Sequence, residues 1–295
     1  MRRSYYSINN GGGEDIDPDF PEENPDQRSE YFWVKNNGKN KANIYVIQSG
    51  YSSETISVEY STNKKSWKTL TASTMLDSYV TLNKGKVCYF RGNNKTFNSS
   101  GYTYEWNGFT SNLSTNVLHI GGNIMSLFYG DNFATAKAFD SSVKAHCMGM
   151  FVGFAGLVDA SLLVLPVKEI STVSTYGYMF QDCAQLQKPP VIDLTTPHNG
   201  SICQYMFYNC TALTETPVLK ITNMNYYYGV YAYMFYYCSN LSKITIYTNN
   251  WGSYNGNYEM FKGVASKGTI YMPSNATWSP TSYGVPAEWE VSKTL

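Results

Sequence analysis

A mainly-β chain in two successive parts is predicted: an antiparallel β-sandwich, then a solenoid of stacked repeats with short helical turns. Three observations carry the prediction. Residues 31–121 alternate apolar and polar side chains between turn sequences. A Met-Phe dipeptide recurs five times at spacings of 29, 27, 28 and 26 residues. The composition, with 27 tyrosines and only 15% charged residues, suits strands and turns better than long helices.

Residues 1–30 read as an extended acidic arm. Eight carboxylates stand there against three arginines, so the neutral total leaves the remainder with an excess of five positive charges. Pro18, Pro21 and Pro25 oppose helix and sheet alike, and Gly11-Gly12-Gly13 forms a joint. The arm carries too little apolar surface to fold alone. Its hydrophobic residues Tyr5, Tyr6, Ile8, Ile16 and Phe20 are spaced as docking anchors for a partner's groove; a disordered tail is the alternative.

Residues 31–121 form the expected sandwich. In Thr55–Ser61 the period of two places Ile56, Val58 and Tyr60 on one face. Further strands are expected at Tyr31–Lys35, Asn43–Gln48, Ser78–Leu82, Lys86–Gly92 and Asn116–Gly121. Turns such as Asn36-Asn37-Gly38 and Asn83-Lys84-Gly85 separate them.

Residues 122–272 hold the repeats. Three units share a nine-residue signature: Tyr178-Met179-Phe180-Gln181-Asp182-Cys183-Ala184-Gln185-Leu186, then Tyr205 to Leu213, then Tyr233 to Leu241. The first unit, at Met150-Phe151, has Phe154 and Leu157 in the Cys and Leu places. The last, at Met260-Phe261, keeps only the dipeptide. Degenerate end units suit a stack whose ends must exclude water. Met, Phe, Cys and Leu are expected on one side of a short helical turn, followed by strand-like stretches such as 213–221 and 241–247. Residues 273–295 are expected to close the stack.

These units resemble the BspA-like leucine-rich repeats of surface proteins from gut Bacteroidetes, protists and their phages. The pattern is Tyr-Met-Phe-x-x-Cys-x-x-Leu followed by proline near the strand, here Pro189-Pro190 and Pro217. The closing run from Gly268 to Pro273, with Trp278 and Trp289, is similar to the end of such proteins. Val58-Glu59-Tyr60-Ser61, Trp67 and Phe90-Arg91-Gly92-Asn93 resemble a domain found ahead of such repeats. The resemblance implies a leucine-rich-repeat-like solenoid used for adhesion or structural display rather than catalysis.

Candidate chemistry is sparse. Cys183, Cys210 and Cys238 share one repeat position, which predicts reduced core thiols rather than a disulfide framework. There is no Cys-x-x-Cys, and His119, His146 and His198 lie far apart, so no zinc site is expected. His146-Cys147 lacks an orienting group for nucleophilic catalysis. Asp15, Asp17 and Asp19 open like a calcium loop, but Phe20 occupies the glycine place and prolines interrupt it. No phosphate-cradling loop is present, and no cofactor or metal is expected.

The positive excess is diffuse, with no cluster suited to a phosphate backbone, so nucleic acid is not an expected partner. No stretch approaches the roughly 18 continuous apolar residues of a membrane span. Tyr226, Tyr227, Tyr228, Trp251 and Tyr254 sit among Asn and Gly in the loops of the last repeats. They are the expected ligand-binding residues, for a host-surface glycan or protein; ordinary surface packing is the alternative.

The expected role is a bacteriophage virion protein, as fibre, decoration or receptor-binding component. It would dock on a capsid or tail protein through residues 1–30 and associate as a homo-oligomer. The start Met1-Arg2-Arg3, with no apolar stretch behind it, favours assembly in the host cytoplasm over export. A bacterial cell-surface adhesin is the alternative.

Overall fold

The computed structural model describes residues 27–48, 55–97, 107–136, 139, 147–165, 175–194, 203–217, 219–221, 231–247, 258–277 and 279–295. The described chain is mainly β, with antiparallel sheets in its first part. There, β1 (Phe32–Asn36), β3 (Ser57–Ser61), β4 (Lys68–Thr71), β6 (Val87–Arg91), β8 (Leu118–Asn123) and β9 (Leu157–Val164) form one sheet, in the order β4-β3-β6-β1-β8-β9. A second sheet has the order β5-β2-β7, from β2 (Ala42–Ile47), β5 (Tyr79–Leu82) and β7 (Gly108–Ser111).

Register explains which side chains are buried. Pairing Phe32 with Phe90 and Val34 with Cys88 puts all four on one face of β1 and β6, and all four are fully buried. Phe109 of the second sheet lies 5.1 Å from Phe32 and 5.2 Å from Phe90 by ring centroids, so the inner faces of the two sheets share one apolar interior. On the outer face of the larger sheet, Trp33, Val87 and Tyr89 form a separate small cluster, where Trp33 Nε1 donates to Gln27 Oε1 at 3.2 Å.

Every strand expected in residues 31–121 is present within a few residues. No apolar period marks β4 or β7 in the sequence. β4 has mostly exposed residues at a sheet edge, and β7 is only Gly-Phe-Thr-Ser. The boundary expected between the sandwich, ending at 121, and the repeats, beginning at 122, falls inside β8, which pairs in parallel with β9. The six-stranded sheet therefore runs on into the repeat region.

In the repeats the five Met-Phe pairs are all fully buried. The phenylalanine rings follow one another at 5.4 Å from Phe151 to Phe180, Phe207 and Phe235, and at 5.6 Å to Phe261. Short parallel strands run alongside: β10 (Ile192–Leu194) with β11 (Leu219–Ile221), and β12 (Lys243–Thr245) with β13 (Thr269–Tyr271) and β14 (Glu290–Ser292).

The short helical turns expected here are absent from these rungs. Each rung is a series of tight turns closed by bonds three residues back, as in Gln181 N–H to Tyr178 O (3.0 Å) and Cys183 N–H to Phe180 O (3.1 Å). Tyr178 and Asp182 have φ of 58° and 59°, and Tyr205, Asn209, Tyr233 and Tyr237 repeat this. Two left-handed residues in every five prevent a helical ladder. They free the N–H groups of Tyr178, Phe180 and Asp182, which donate to Gln204, Met206 and Tyr208 of the next rung, each at 2.9 Å. The next two rungs repeat these three bonds.

Both ends of the stack are covered. At the first rung, Phe109 N–H in β7 donates to Met150 O at 2.9 Å; at the last, Phe261 N–H donates to Tyr283 O at 2.9 Å. Trp289 closes beside it, its Nε1 donating to Ala265 O at 2.8 Å.

All six cysteines are free and buried. Cys183, Cys210 and Cys238 each direct Sγ at the carbonyl of the preceding rung's phenylalanine, at 3.0, 3.1 and 3.1 Å. The repeated cysteine thus serves an interior carbonyl as well as filling space. Burial pushes the Cys183 and Cys238 thiols up to about 12.

Candidate functional site: a tyrosine face on the repeats

The rung geometry sorts each signature into inward and outward residues. Met, Phe, Cys and Leu turn inward. The residue before Met and those two and three places after it turn outward, and in successive rungs they form three files. The first file is Tyr178, Tyr205 and Tyr233, ending at Glu259. The second is Gln181, Tyr208 and Tyr236, ending at Lys262. The third is Asp182, Asn209 and Tyr237, ending at Gly263.

The tyrosines stack within their files. Tyr178–Tyr205 and Tyr205–Tyr233 centroids lie 4.8 and 4.6 Å apart, with planes 11° and 9° from parallel. Tyr208 and Tyr236 are 5.6 Å apart at 6°. Two further rings stand across these stacks: Tyr237 lies at 70° to Tyr236, and Tyr258 at 73° to Tyr233. They are also the most exposed aromatic residues of the face, at 48% and 39%. Gly263 makes room for Tyr237, because a Cβ there would lie 2.5 Å from its ring.

Polar groups hold the margins. Gln181 Nε2 and Asn209 Nδ2 donate to Asp182 at 2.9 and 2.7 Å. Lys262 Nζ bonds Glu259 at 2.6 Å and lies 5.7 Å from the Tyr236 ring centre. The Tyr236 phenol is held above its ordinary value by its hydrogen bond with Tyr237, and burial raises Tyr208. Both keep their protons at neutral pH.

The backbone under the first file is costly for tyrosine. Gly149 holds the equivalent place in the first rung, at φ 69°. Each left-handed tyrosine costs about 1–2 kcal/mol against an ordinary conformation. A stacked aromatic pair returns about 0.5–1.5 kcal/mol. The array is therefore roughly neutral for stability.

The ligand-binding residues expected from sequence, Tyr226, Tyr227, Tyr228, Trp251 and Tyr254, lie outside the described residues. So do the docking anchors Tyr5, Tyr6, Ile8, Ile16 and Phe20, the acidic run Asp15, Asp17 and Asp19, and His146 and His198. The face instead gathers tyrosines from within the signature. The sign of it in the sequence was tyrosine before Met-Phe in three units where the first unit has glycine.

Elsewhere, a cavity of about 370 Å³ lies beside β3, lined by Glu59, Asn93, Asn94 and Lys95 among others. Asn94 Nδ2 is committed to the carbonyls of Ser57 and Leu127, and Glu59 to Arg91, so these groups serve the fold. Among the described residues no three His, Cys, Asp or Glu side chains group as metal ligands. No described helix is long and apolar enough to cross a membrane. No protein-family model, curated protein or solved structure matches the chain.

Proposed function

We propose that the chain is a non-catalytic attachment protein. In this reading it is a β-sandwich followed by a leucine-rich-repeat-like solenoid of the BspA-like kind, which holds a tyrosine surface out to a glycan or protein on a bacterial cell. The observation that carries the reading is tyrosine in left-handed backbone in three successive rungs. A glycine there would avoid the strain, so a half-exposed aromatic array that adds little stability is maintained for contact. Tyrosine supplies large, rigid contact area at low entropic cost, as it does in antibody paratopes.

The setting proposed is a bacteriophage virion, with the protein as fibre, decoration or receptor-binding component and residues 1–30 docked on a capsid or tail protein. The repeat signature and the acidic, proline-interrupted arm with its spaced hydrophobic residues support it. Homo-oligomerisation belongs to the same proposal. The repeat signature equally supports a bacterial cell-surface adhesin, which is the second reading.

Antibody against the full chain separates the settings: labelling of purified particles is expected, and labelling confined to bacterial envelopes favours the adhesin. Deleting residues 1–30 is expected to abolish incorporation into particles; normal incorporation overturns the docking role. Fluorescently labelled full chain is expected to bind gut Bacteroidetes cells saturably. Absence of binding overturns attachment.

A further inference from the structure

We infer that the tyrosine face takes a neutral glycan, with Tyr237 and Tyr258 as the stacking platforms; this rests on the attachment reading above. Ring orientation is the first ground. Tyr178, Tyr205 and Tyr233, and likewise Tyr208 and Tyr236, cover one another's faces, so these stacks offer a ligand mainly their edges. Tyr237 and Tyr258 stand 65–73° across the neighbouring rings and are the exposed ones. An exposed ring face carries the negative side of the aromatic quadrupole, which attracts the C–H groups on the apolar face of a pyranose.

Charge is the second ground. On this face Lys262 is engaged with Glu259, and Asp182 with Gln181 and Asn209. No arginine stands in the signature segments 178–186, 205–213 or 233–241. Among the described residues, nothing there is arranged to neutralise the carboxylates, sulfates or phosphates of an acidic polymer. The amides of Gln181 and Asn209 and the phenols of Tyr208 and Tyr236 are neutral groups suited to sugar hydroxyls.

The third ground separates sugar from protein. In the turn segments 178–186, 205–213, 233–241 and 258–263, Tyr237 and Tyr258 are the only exposed large hydrophobic residues; exposed Val191 and Tyr247 lie beside the strands β10 and β12 instead. A protein interface of useful strength centres on a dry apolar cluster. A surface of tyrosine edges, two turned rings and amides lacks such a centre.

The experiment uses the full chain, wild type and the double variant Tyr237→Ala/Tyr258→Ala. Both positions are exposed, and equal thermal unfolding midpoints verify that the variant folds. Binding is measured to immobilised mannan, β-glucan and galactan, to hyaluronan and polysialic acid, and to gut Bacteroidetes cells treated with periodate or with protease. Binding to at least one neutral polymer is expected, weakened about tenfold in the double variant. Cell binding is expected to vanish after periodate and to survive protease. Preference for the acidic polymers, or undiminished binding by the double variant, overturns the inference. Cell binding lost to protease but kept after periodate also overturns it, in favour of a protein receptor, and leaves the attachment reading standing. No binding to untreated cells sinks that reading itself.

Discussion

In the sheets Phe32, Phe90 and Phe109 meet at 39°, 62° and 74°, whereas in the repeats Phe180, Phe207 and Phe235 succeed one another at 2° and 6°. The first arrangement is a jigsaw: each ring has its own partners, and edge meets face. The second is a translation, in which each ring's main partners are copies of itself one rung away. The difference follows from sequence. Non-repeating strands bring unlike neighbours together and must fit them individually. A repeating unit needs to solve its packing once and then apply the solution again. Backbone bonding shows the same contrast, with antiparallel ladders among β1 to β8 and, in the turn segments of the repeats, same-direction bonds from each Met-Phe to the next.

The sharpest probe of the contrast is Phe207→Ala, which removes one ring from the middle of the stack. A loss of about 3–5 kcal/mol is expected in urea unfolding. Amide exchange should rise in the rungs on both sides of position 207 before it rises in β1 or β6. Uniform loosening of the whole chain would mean that the two regions open as one unit.

Next in size is Gly108→Ala at the junction. A Cβ there would lie 2.0 Å from Met150 O, in a residue at φ 153°. A destabilisation of about 2–3 kcal/mol is expected, with faster exchange of the Phe109 amide that bonds the first rung. An unchanged Phe109 amide would show that β7 does not close the stack.

Cys210→Ala should cost about 1–2 kcal/mol, by vacating space and leaving the Phe180 carbonyl without the thiol. The thiols also predict an alkaline weakness. Folded Cys183 and Cys238 titrate near 12, against an ordinary 9.0. Below about pH 9 they affect stability little. Between about pH 9 and 12 the unfolded chain loses protons that the folded chain keeps, so stability falls as pH rises. Five of the six cysteines, together with buried Tyr176 and Tyr231, lie in the repeats, so exchange should rise there first. Earlier opening of the sheets would contradict this.

The smallest effect concerns the surface. Tyr205→Gly should be more stable than Tyr205→Ala by about 1 kcal/mol, since only glycine adopts φ 57° freely. Equal unfolding midpoints would remove the strain on which the attachment reading relies.

Much of this was legible in the chain because burial follows period. Ile56 and Val58 alternate, and Met-Phe recurs at near-constant spacing, so strands and rungs announce themselves. β4 and β7 did not, since the exposed Lys68–Thr71 and the four-residue Gly108–Ser111 carry too few apolar side chains to show a period. The turn geometry was hidden for another reason. Apolar residues at places 1, 2, 5 and 8 fit a helical face, and only the φ of Tyr178 and Asp182 reveals otherwise. Tyrosine is a poor advertisement for a left-handed backbone, so the sequence points to the loop tyrosines and Trp251 rather than to the files that make the candidate site.

In the turn segments the bonds between rungs point one way, with the N–H row around each Met-Phe meeting the carbonyl row of the following unit, while on the strand side bonds run in both directions. A unit of 26–29 residues can therefore be duplicated in frame between two others and find matching edges above and below. Each insertion would lengthen the stack by about 5 Å and add another tyrosine to the files, with neither closing surface redesigned. Reach and valency are thus inherited together, as a single count of copies.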